Sequence, residues 1–314
     1  MSRRVGFVTH PDCARHNCAV HTEHAGRTEA IERHFQETGL IDQLIPLPAR
    51  EATIEELALN HDPGYIDEIR TMNPACVQLI DNDTYITPDS WHAALLSYGG
   101  AILAVEKVIR GELDRAFCCL RPPGHHAEYH RAMGFCLFNN IAGAARYARQ
   151  SCGIERVAIV DFDVHHGNGT QYSFYSDSSV HFTSIHQWPL FPGTGSANEK
   201  GISDGSGFTW NIPLSPGTTG AAALALFEPG FRRAMESFRP QLVMVSAGFD
   251  AHREDPLAQL RFEDEDYLAF TLLLSEIADR LAEGRIVSVL EGGYNLAALS
   301  RSAAQHVKGL LADD

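Results

Sequence analysis

Between Ile159 and Gly169 a β-branched apolar run leads into two carboxylates and two imidazoles and then breaks at glycine: Ile159-Val160-Asp161-Phe162-Asp163-Val164-His165-His166-Gly167-Asn168-Gly169. In an extended strand, side chains two apart point to one side. Asp161, Asp163 and His165 are therefore expected on one face at the end of a strand. Hard carboxylate oxygens and an imidazole nitrogen, held close on a rigid element, can bind a divalent cation. The plain alternative is a solvated strand end with ordinary polar residues. Three other apolar runs end in the same way. Asp250 follows Val245-Ser246-Ala247-Gly248-Phe249, Tyr294 follows Val289-Leu290-Glu291-Gly292-Gly293, and His125 and His126 follow Leu120-Arg121-Pro122-Pro123-Gly124. One such coincidence is weak, whereas four in one chain suggest a site.

The elements that must carry these residues are legible in outline. Strands are predicted at Val5–Thr9, Ala116–Leu120, Val157–Asp163, Val180–Ile185, Asn211–Leu214, Leu242–Ser246 and Ile286–Leu290. Helices are predicted at Thr28–Glu37, Ser90–Arg110, Asn140–Gln150, Thr219–Phe238, Asp264–Ala282 and Leu296–Leu311, with Ser90 as an N-cap and Gly111 as a stop. Runs such as Val157-Ala158-Ile159-Val160 and Leu242-Val243-Met244-Val245 are continuously apolar, the mark of parallel strands covered on both faces. The alternation implies an open α/β sheet, and ligands bind such sheets outside the carboxyl ends of the strands.

Composition narrows the function. The 314 residues are 44% hydrophobic, and no linker, repeat or low-complexity tract divides them, so one domain spanning residues 1–314 is expected. The formal charge of -15 argues against sequence-independent nucleic acid binding, which needs a basic face. It suits a cationic substrate, although solubility alone explains it equally well. The run Val5-Gly6-Phe7-Val8 after Met1-Ser2-Arg3-Arg4 is too short for a signal peptide, and no stretch reads as membrane-spanning. The seven cysteines, odd in number, read as reduced thiols, and the cytoplasm is the default location.

Taken jointly, five segments resemble the histone deacetylase superfamily. They are Arg121-Pro122-Pro123-Gly124-His125-His126-Ala127-Glu128, Met133-Gly134-Phe135-Cys136-Leu137-Phe138-Asn139-Asn140, Asp161 to Thr170, Ser246-Ala247-Gly248-Phe249-Asp250-Ala251 and Glu291-Gly292-Gly293-Tyr294-Asn295. Their order and spacing are similar to the class II branch and its bacterial histone deacetylase-like amidohydrolases, and weaker similarity runs from about residue 5 to about residue 310. The resemblance implies the arginase/deacetylase fold, an α/β architecture with an eight-stranded parallel sheet between helical layers. It also implies a zinc-dependent deacylase acting on acylated lysine, in a peptide or protein, or on a similar small acylated amine.

By the same resemblance Asp163, His165 and Asp250 would be the zinc ligands, with Fe(II) or Co(II) as chemically acceptable substitutes. His126 would be the main general base and acid, and His125 would act electrostatically. Asp161 would partner His125, and Asn168 would partner His126. Asn168 is aspartate in the class I branch. Tyr294 would donate to the oxyanion, Phe135 and Phe191 would line a tunnel beside Gly134, and Asp83 would bind substrate backbone at the rim. Leu257 falls where polyamine-selective relatives can carry glutamate, so leucine weakens the polyamine reading. Arg27 matches an arginine of the family's internal channel. A potassium ion would be held by Asp161 and Ser184 with the backbone of Asp163, His165 and Ile185.

Two other functions use the same fold or site. An arginase-type dinuclear manganese ureohydrolase would need more bridging carboxylates than Asp250-Ala251-His252 and Asn168 provide. An inactive acyl-lysine binding module would not need the whole set of His125, His126, Asp163, His165, Asp250 and Tyr294. His10, Cys13, His16, Cys18, His21 and His24 could build a second metal site, but polar residues of an entrance loop explain them more simply. The acidic run Glu263 to Asp266 suits the first turn of a helix.

Overall fold

Continuously apolar strands need cover on both faces, and the computed structural model, which describes residues 3–72 and 74–313, supplies it. Met1, Ser2, Asn73 and Asp314, part of the expected 1–314 domain, lie outside the described residues. In chain order the strands are β1 (Val5–Thr9), β2 (Ile45–Pro48), β3 (Gln78–Leu79), β4 (Tyr85–Ile86), β5 (Arg115–Cys118), β6 (Val157–Asp161), β7 (Val180–Gln187), β8 (Thr209–Leu214), β9 (Leu242–Ala247) and β10 (Ile286–Leu290). The helices are α1 (Gly26–Glu37), α2 (Ile54–Leu57), α3 (Pro63–Thr71), α4 (Ser90–Ile109), α5 (Asn140–Ser151), α6 (Asn168–Phe174), α7 (Gly220–Phe238), α8 (Asp264–Leu281) and α9 (Leu296–Leu311). Eight strands form one sheet in the order β2-β1-β5-β10-β9-β6-β7-β8, and every neighbouring pair is parallel. This is the expected α/β architecture.

Two hydrophobic clusters explain the unbroken apolar strands. In β6, Ala158 and Val160 join the cluster under α1, α7, α8 and α9, whereas Val157 and Ile159 join the cluster under α3, α4 and α5. In β9, Val243 and Val245 go one way and Leu242 and Met244 the other. With no solvent face, no position in these strands has to be polar. The expectation that no stretch reads as membrane-spanning fails for α4, which is long and apolar enough to cross a membrane by length and composition. In the fold, 72% of that apolar window is buried, and the helix packs as a core helix on the sheet.

Most predicted elements appear with shifted ends, and the misses have local causes. The strand β2 contains two prolines in four residues. Proline cannot donate to a ladder, so the strand is confined to the sheet edge, where it pairs with β1. The start of α3 carried a readable signal, Asp62 followed by Pro63, and Asp62 caps Gly64 N and Tyr65 N. Ser90 is not the N-cap of α4 but its first helical residue. Asp89 holds the cap position, and Ser90 Oγ instead accepts from Thr87 N at 2.7 Å and faces His16 Nδ1 at 2.6 Å. Gly111 follows α4 with φ +67°, a conformation that ends a helix at little cost for glycine.

Candidate active site

The four reactive loops leave β5, β10, β9 and β6, which are consecutive in the sheet, so they converge at one carboxyl edge. The path after β6 differs from the expectation. The strand stops at Asp161, and Asp163 and His165 lie beyond it rather than on its face. Asp161 Oδ1 accepts from Asp163 N at 3.1 Å, and Asp163 Oδ1 accepts from His165 N at 2.9 Å. Aspartates that bond to the backbone two residues on turn a chain locally. The chain then enters α6 at Asn168, where the sequence reading placed only a break.

These turns bring Asp163 and His165 to Asp250. His165 Nδ1 lies 3.1 Å from Asp163 Oδ1 and 3.2 Å from Asp250 Oδ2, and all three residues are buried. Among the described residues they are the one group of three or more His, Cys, Asp or Glu side chains whose ligand atoms lie within 4.8 Å of one another. The N-terminal cysteines and histidines do not form such a group. His16 is engaged with Ser90, and His21 with the Asp83 carbonyl at 3.0 Å.

The trio fits a divalent cation. Asp250 Oδ1 accepts from Val164 N at 2.8 Å and Asp163 Oδ2 from Gly292 N at 2.8 Å, which aims the carboxylates. Asp250 Oδ2, 3.2 Å from His165 Nδ1, is buried without a hydrogen bond of good geometry, and a carboxylate oxygen left so is costly unless a cation meets it. The surroundings leave room for nothing larger than hydrogen: a Cβ on Gly248 would stand 2.1 Å from Asp163 Oδ2, and one on Gly292 would stand 2.1 Å from Asp250 Oδ2. One imidazole nitrogen and two carboxylate oxygens suit zinc, and also Fe(II) or Co(II).

The paired histidines sit beside the trio with rings 3.9 Å apart. His125 Nδ1 is 2.9 Å from Asp161 Oδ2, and His126 Nδ1 is 2.8 Å from Asn168 Oδ1. The two environments differ. Burial opposes a charge on His125, but the carboxylates of Asp163, Asp161 and Glu291 outweigh it and hold the imidazole at about 10. Burial, reinforced by His125 and His165, pushes His126 well below its ordinary value, so it is neutral. Glu291 has a part in the site that its motif alone does not reveal. It is fully buried and accepts from Gly124 N at 2.7 Å and His125 N at 3.1 Å, tying the histidine loop to the tyrosine loop.

A pocket of about 240 Å³ opens above this group, lined by Asp83, His126, Gly134, Phe135, His165, Leu190, Phe191, Leu257 and Tyr294. All five residues expected to bind substrate are in it; Leu190 was not anticipated, although its neighbour Phe191 was. Phe191 meets the His126 ring edge-on at 5.0 Å, and Phe135 meets Tyr294 edge-on at 5.8 Å. Gly134 has φ +56°, and a Cβ there would stand 2.4 Å from the His126 ring, so the wall can approach the imidazole only at glycine. Phe135, at φ 69°, is held by a bond from its N–H to Thr84 Oγ1 at 3.1 Å.

Tyr294 faces the pocket from the opposite loop, and burial keeps its hydroxyl well above the usual phenol range and hence protonated. Arg27 lies over its ring at 4.9 Å and donates to Gly293 O at 2.7 Å. A further unanticipated residue, Asp255, accepts from Tyr294 N at 2.7 Å and Leu257 N at 3.0 Å. The signal was present in Asp255-Pro256-Leu257, but nothing in the sequence says which distant N–H the carboxylate meets. Ser184 is the register neighbour of Asp161 on β7, and its Oγ lies 2.9 Å from His186 Nδ1.

Comparison with known proteins gives the family. A histone deacetylase domain profile matches residues 21–310. The chain is 40% identical over 306 residues to a probable deacetylase of Methanothermobacter thermautotrophicus, covering 97% of this chain and 90% of that protein. It is 40% identical over 292 residues to the polyamine deacetylase HDAC10 of Mus musculus, covering 89% of this chain and 43% of that protein. The crystal structure of the HDA15 HD domain superposes with a TM-score of 0.94 at 35% identity, covering 98% of this chain and 88% of that one. The chain belongs to the histone deacetylase family of deacetylases and amidohydrolases.

Proposed function

We propose that this protein is a zinc-dependent amidohydrolase that removes the acyl group from an acylated lysine side chain or a similar acylated amine. One observation carries the reading: Asp163, His165 and Asp250 meet at the foot of a pocket whose walls are aromatic and which holds an imidazole and a phenol. Zinc bound by these three residues would polarise the acyl oxygen and lower the pKa of water. His126, neutral and with Nδ1 engaged by Asn168, has Nε2 free to take a proton from water and to return it to the leaving amine. His125, with Nδ1 held 2.9 Å from Asp161 Oδ2, would lend positive charge as the oxyanion forms. The Tyr294 hydroxyl donates to that oxyanion. Phe135 and Phe191 would flank the apolar stem of the substrate and exclude water, while Asp83 at the rim would receive backbone N–H groups.

A potassium ion beside the zinc, on Asp161 and Ser184, belongs to the same reading, as does one catalytic domain over residues 1–314. A cytoplasmic setting fits the seven unpaired cysteines. A single metal is favoured because His252, where a bridging carboxylate would be needed, faces Asp264 at 3.2 Å. Leu257 in the pocket favours acyl-lysine over polyamines, and the polyamine deacetylase among the relatives keeps an acylated polyamine as the second reading.

The test is a metal count per chain together with turnover of an acetyl-lysine peptide and an acetylated polyamine, before and after chelation. One zinc, with peptide hydrolysis lost on chelation and restored by zinc, supports the proposal. Two manganese ions with urea release from arginine, or tight peptide binding without hydrolysis, would overturn it. Faster hydrolysis of the polyamine would replace the first substrate class with the second.

A further inference from the structure

His126 can act as a base at Nε2 only if its proton stays on Nδ1, and its Nδ1 partner is an amide rather than a carboxylate. An asparagine can present either its oxygen or its nitrogen, so something must choose. The surroundings of Asn168 choose. Its Nδ2 donates to Glu128 Oε1 at 2.9 Å and lies 3.3 Å from both the His126 carbonyl oxygen and Met133 Sδ. An ionised carboxylate, a carbonyl and a thioether only accept. The amide nitrogen must therefore face them, and the oxygen must face His126, where it receives Nδ1–H at 2.8 Å. Glu128 is the nearest of the three and the one that can carry a charge. It is half-buried, on the wall of a separate pocket that also reaches Asn168.

We propose that Glu128 is a positioning residue: through Asn168 it fixes the tautomer of His126 and supplies, one hydrogen bond further out, the negative charge that an aspartate at position 168 would supply directly. This rests on the assignment of His126 as the general base. It explains why an asparagine suffices here. Hydrogen bonds to a charged acceptor are shorter and stronger, and each link in a chain polarises the next.

The decisive experiment is a two-residue cycle of Glu128→Ala, Asn168→Asp and the double variant. Its readouts are kcat and KM on an acetyl-lysine peptide, and the imidazole ¹⁵N spectrum of the metal-free protein, with the His126 signal identified by its loss in His126→Gln. Glu128→Ala should lower kcat by roughly tenfold, the size of one charge-assisted hydrogen bond, with KM little changed. The Nδ1–H form of His126 should lose population in the same variant. In the Asn168→Asp background the effect should vanish or reverse, because two carboxylates would face each other across the 2.9 Å contact and a carboxylate at position 168 needs no orienting partner. Glu128→Gln, which keeps an acceptor without the charge, should fall between wild type and Glu128→Ala, and it serves if the alanine variant folds poorly. Equal losses in both backgrounds, a loss confined to KM, or a His126 spectrum untouched by Glu128→Ala would overturn the proposal. Absence of wild-type hydrolysis would instead count against the functional reading, and the spectrum would still decide the role of Glu128.

Discussion

Asp255 provides a test of how the tyrosine loop is held. Its carboxylate serves three N–H groups on two sides, with Oδ2 accepting from Tyr294 N at 2.7 Å and Asn295 N at 3.4 Å, and Oδ1 accepting from Leu257 N at 3.0 Å. Asparagine has the same shape but one acceptor oxygen, so in Asp255→Asn one side must face an NH₂ group. One hydrogen bond to a charged group contributes about 1.5–3 kcal/mol. Burial, with Asp250 adding to it, already raises the Asp255 carboxyl to about 7. Removing an unfavourably buried charge offsets part of the loss, which leaves a net destabilisation of about 1–2 kcal/mol. The catalytic effect should be larger than this figure suggests. A displacement of about 1 Å of a reacting group costs on the order of 10²-fold, and the phenol hangs from the loosened loop. We expect kcat to fall by roughly 10–10²-fold with KM changed by less than about threefold. Peptide deacetylation kinetics and urea unfolding measure both quantities. The discriminating arm is Asp255→Asn in a Tyr294→Phe background. If Asp255 acts through the phenol, the first substitution costs little once the hydroxyl is gone. Full additivity of the two losses, or wild-type kcat in Asp255→Asn, would refute this role.

Three further outcomes are expected. Tyr294→Phe should lower kcat by roughly 10²–10⁴-fold, and near-wild-type turnover in that variant would remove Tyr294 from the chemistry. Gly248→Ala should abolish stoichiometric zinc binding while leaving far-UV circular dichroism intact, because its Cβ would stand 2.1 Å from Asp163 Oδ2. Retained zinc by elemental analysis would show that the trio is not the metal site. Away from the site, His92 lies between Glu51 and Asp12, with Nε2 3.0 Å from Asp12 Oδ2. Burial lowers its pKa, but the two carboxylates more than compensate, so the folded value is raised above 6.5. A raised histidine adds stability fully below the unfolded value and loses it as pH rises through the folded value. His92→Gln should therefore lower Tm at pH 5.5 more than at pH 8.5, and a loss independent of pH would contradict the ion-pair account.

Local pattern made much of this protein readable. Apolar runs such as Val157–Val160 marked parallel strands because a strand covered on both faces needs no polar position. The residues just past those runs, His125, His126, Asp163, His165, Asp250 and Tyr294, were legible because reactive side chains at strand ends are conspicuous by type. Short or proline-bearing elements such as β2 and α3 were missed because their hydrophobic period is too brief to register. What depended on tertiary structure was which distant groups meet. Glu128 finds Asn168 40 residues away, Asp255 finds Tyr294 39 away, and Glu291 finds Gly124 167 away. No periodicity encodes such pairs, because they follow from the order β5-β10-β9-β6, which is set by helix packing across the sheet and not by any one segment. The sequence alone therefore determined the kinds of chemistry available and the elements that present them. The fold decided the tautomers, charges and orientations that make the chemistry usable, because these depend on hydrogen bonds closed between loops far apart in the chain.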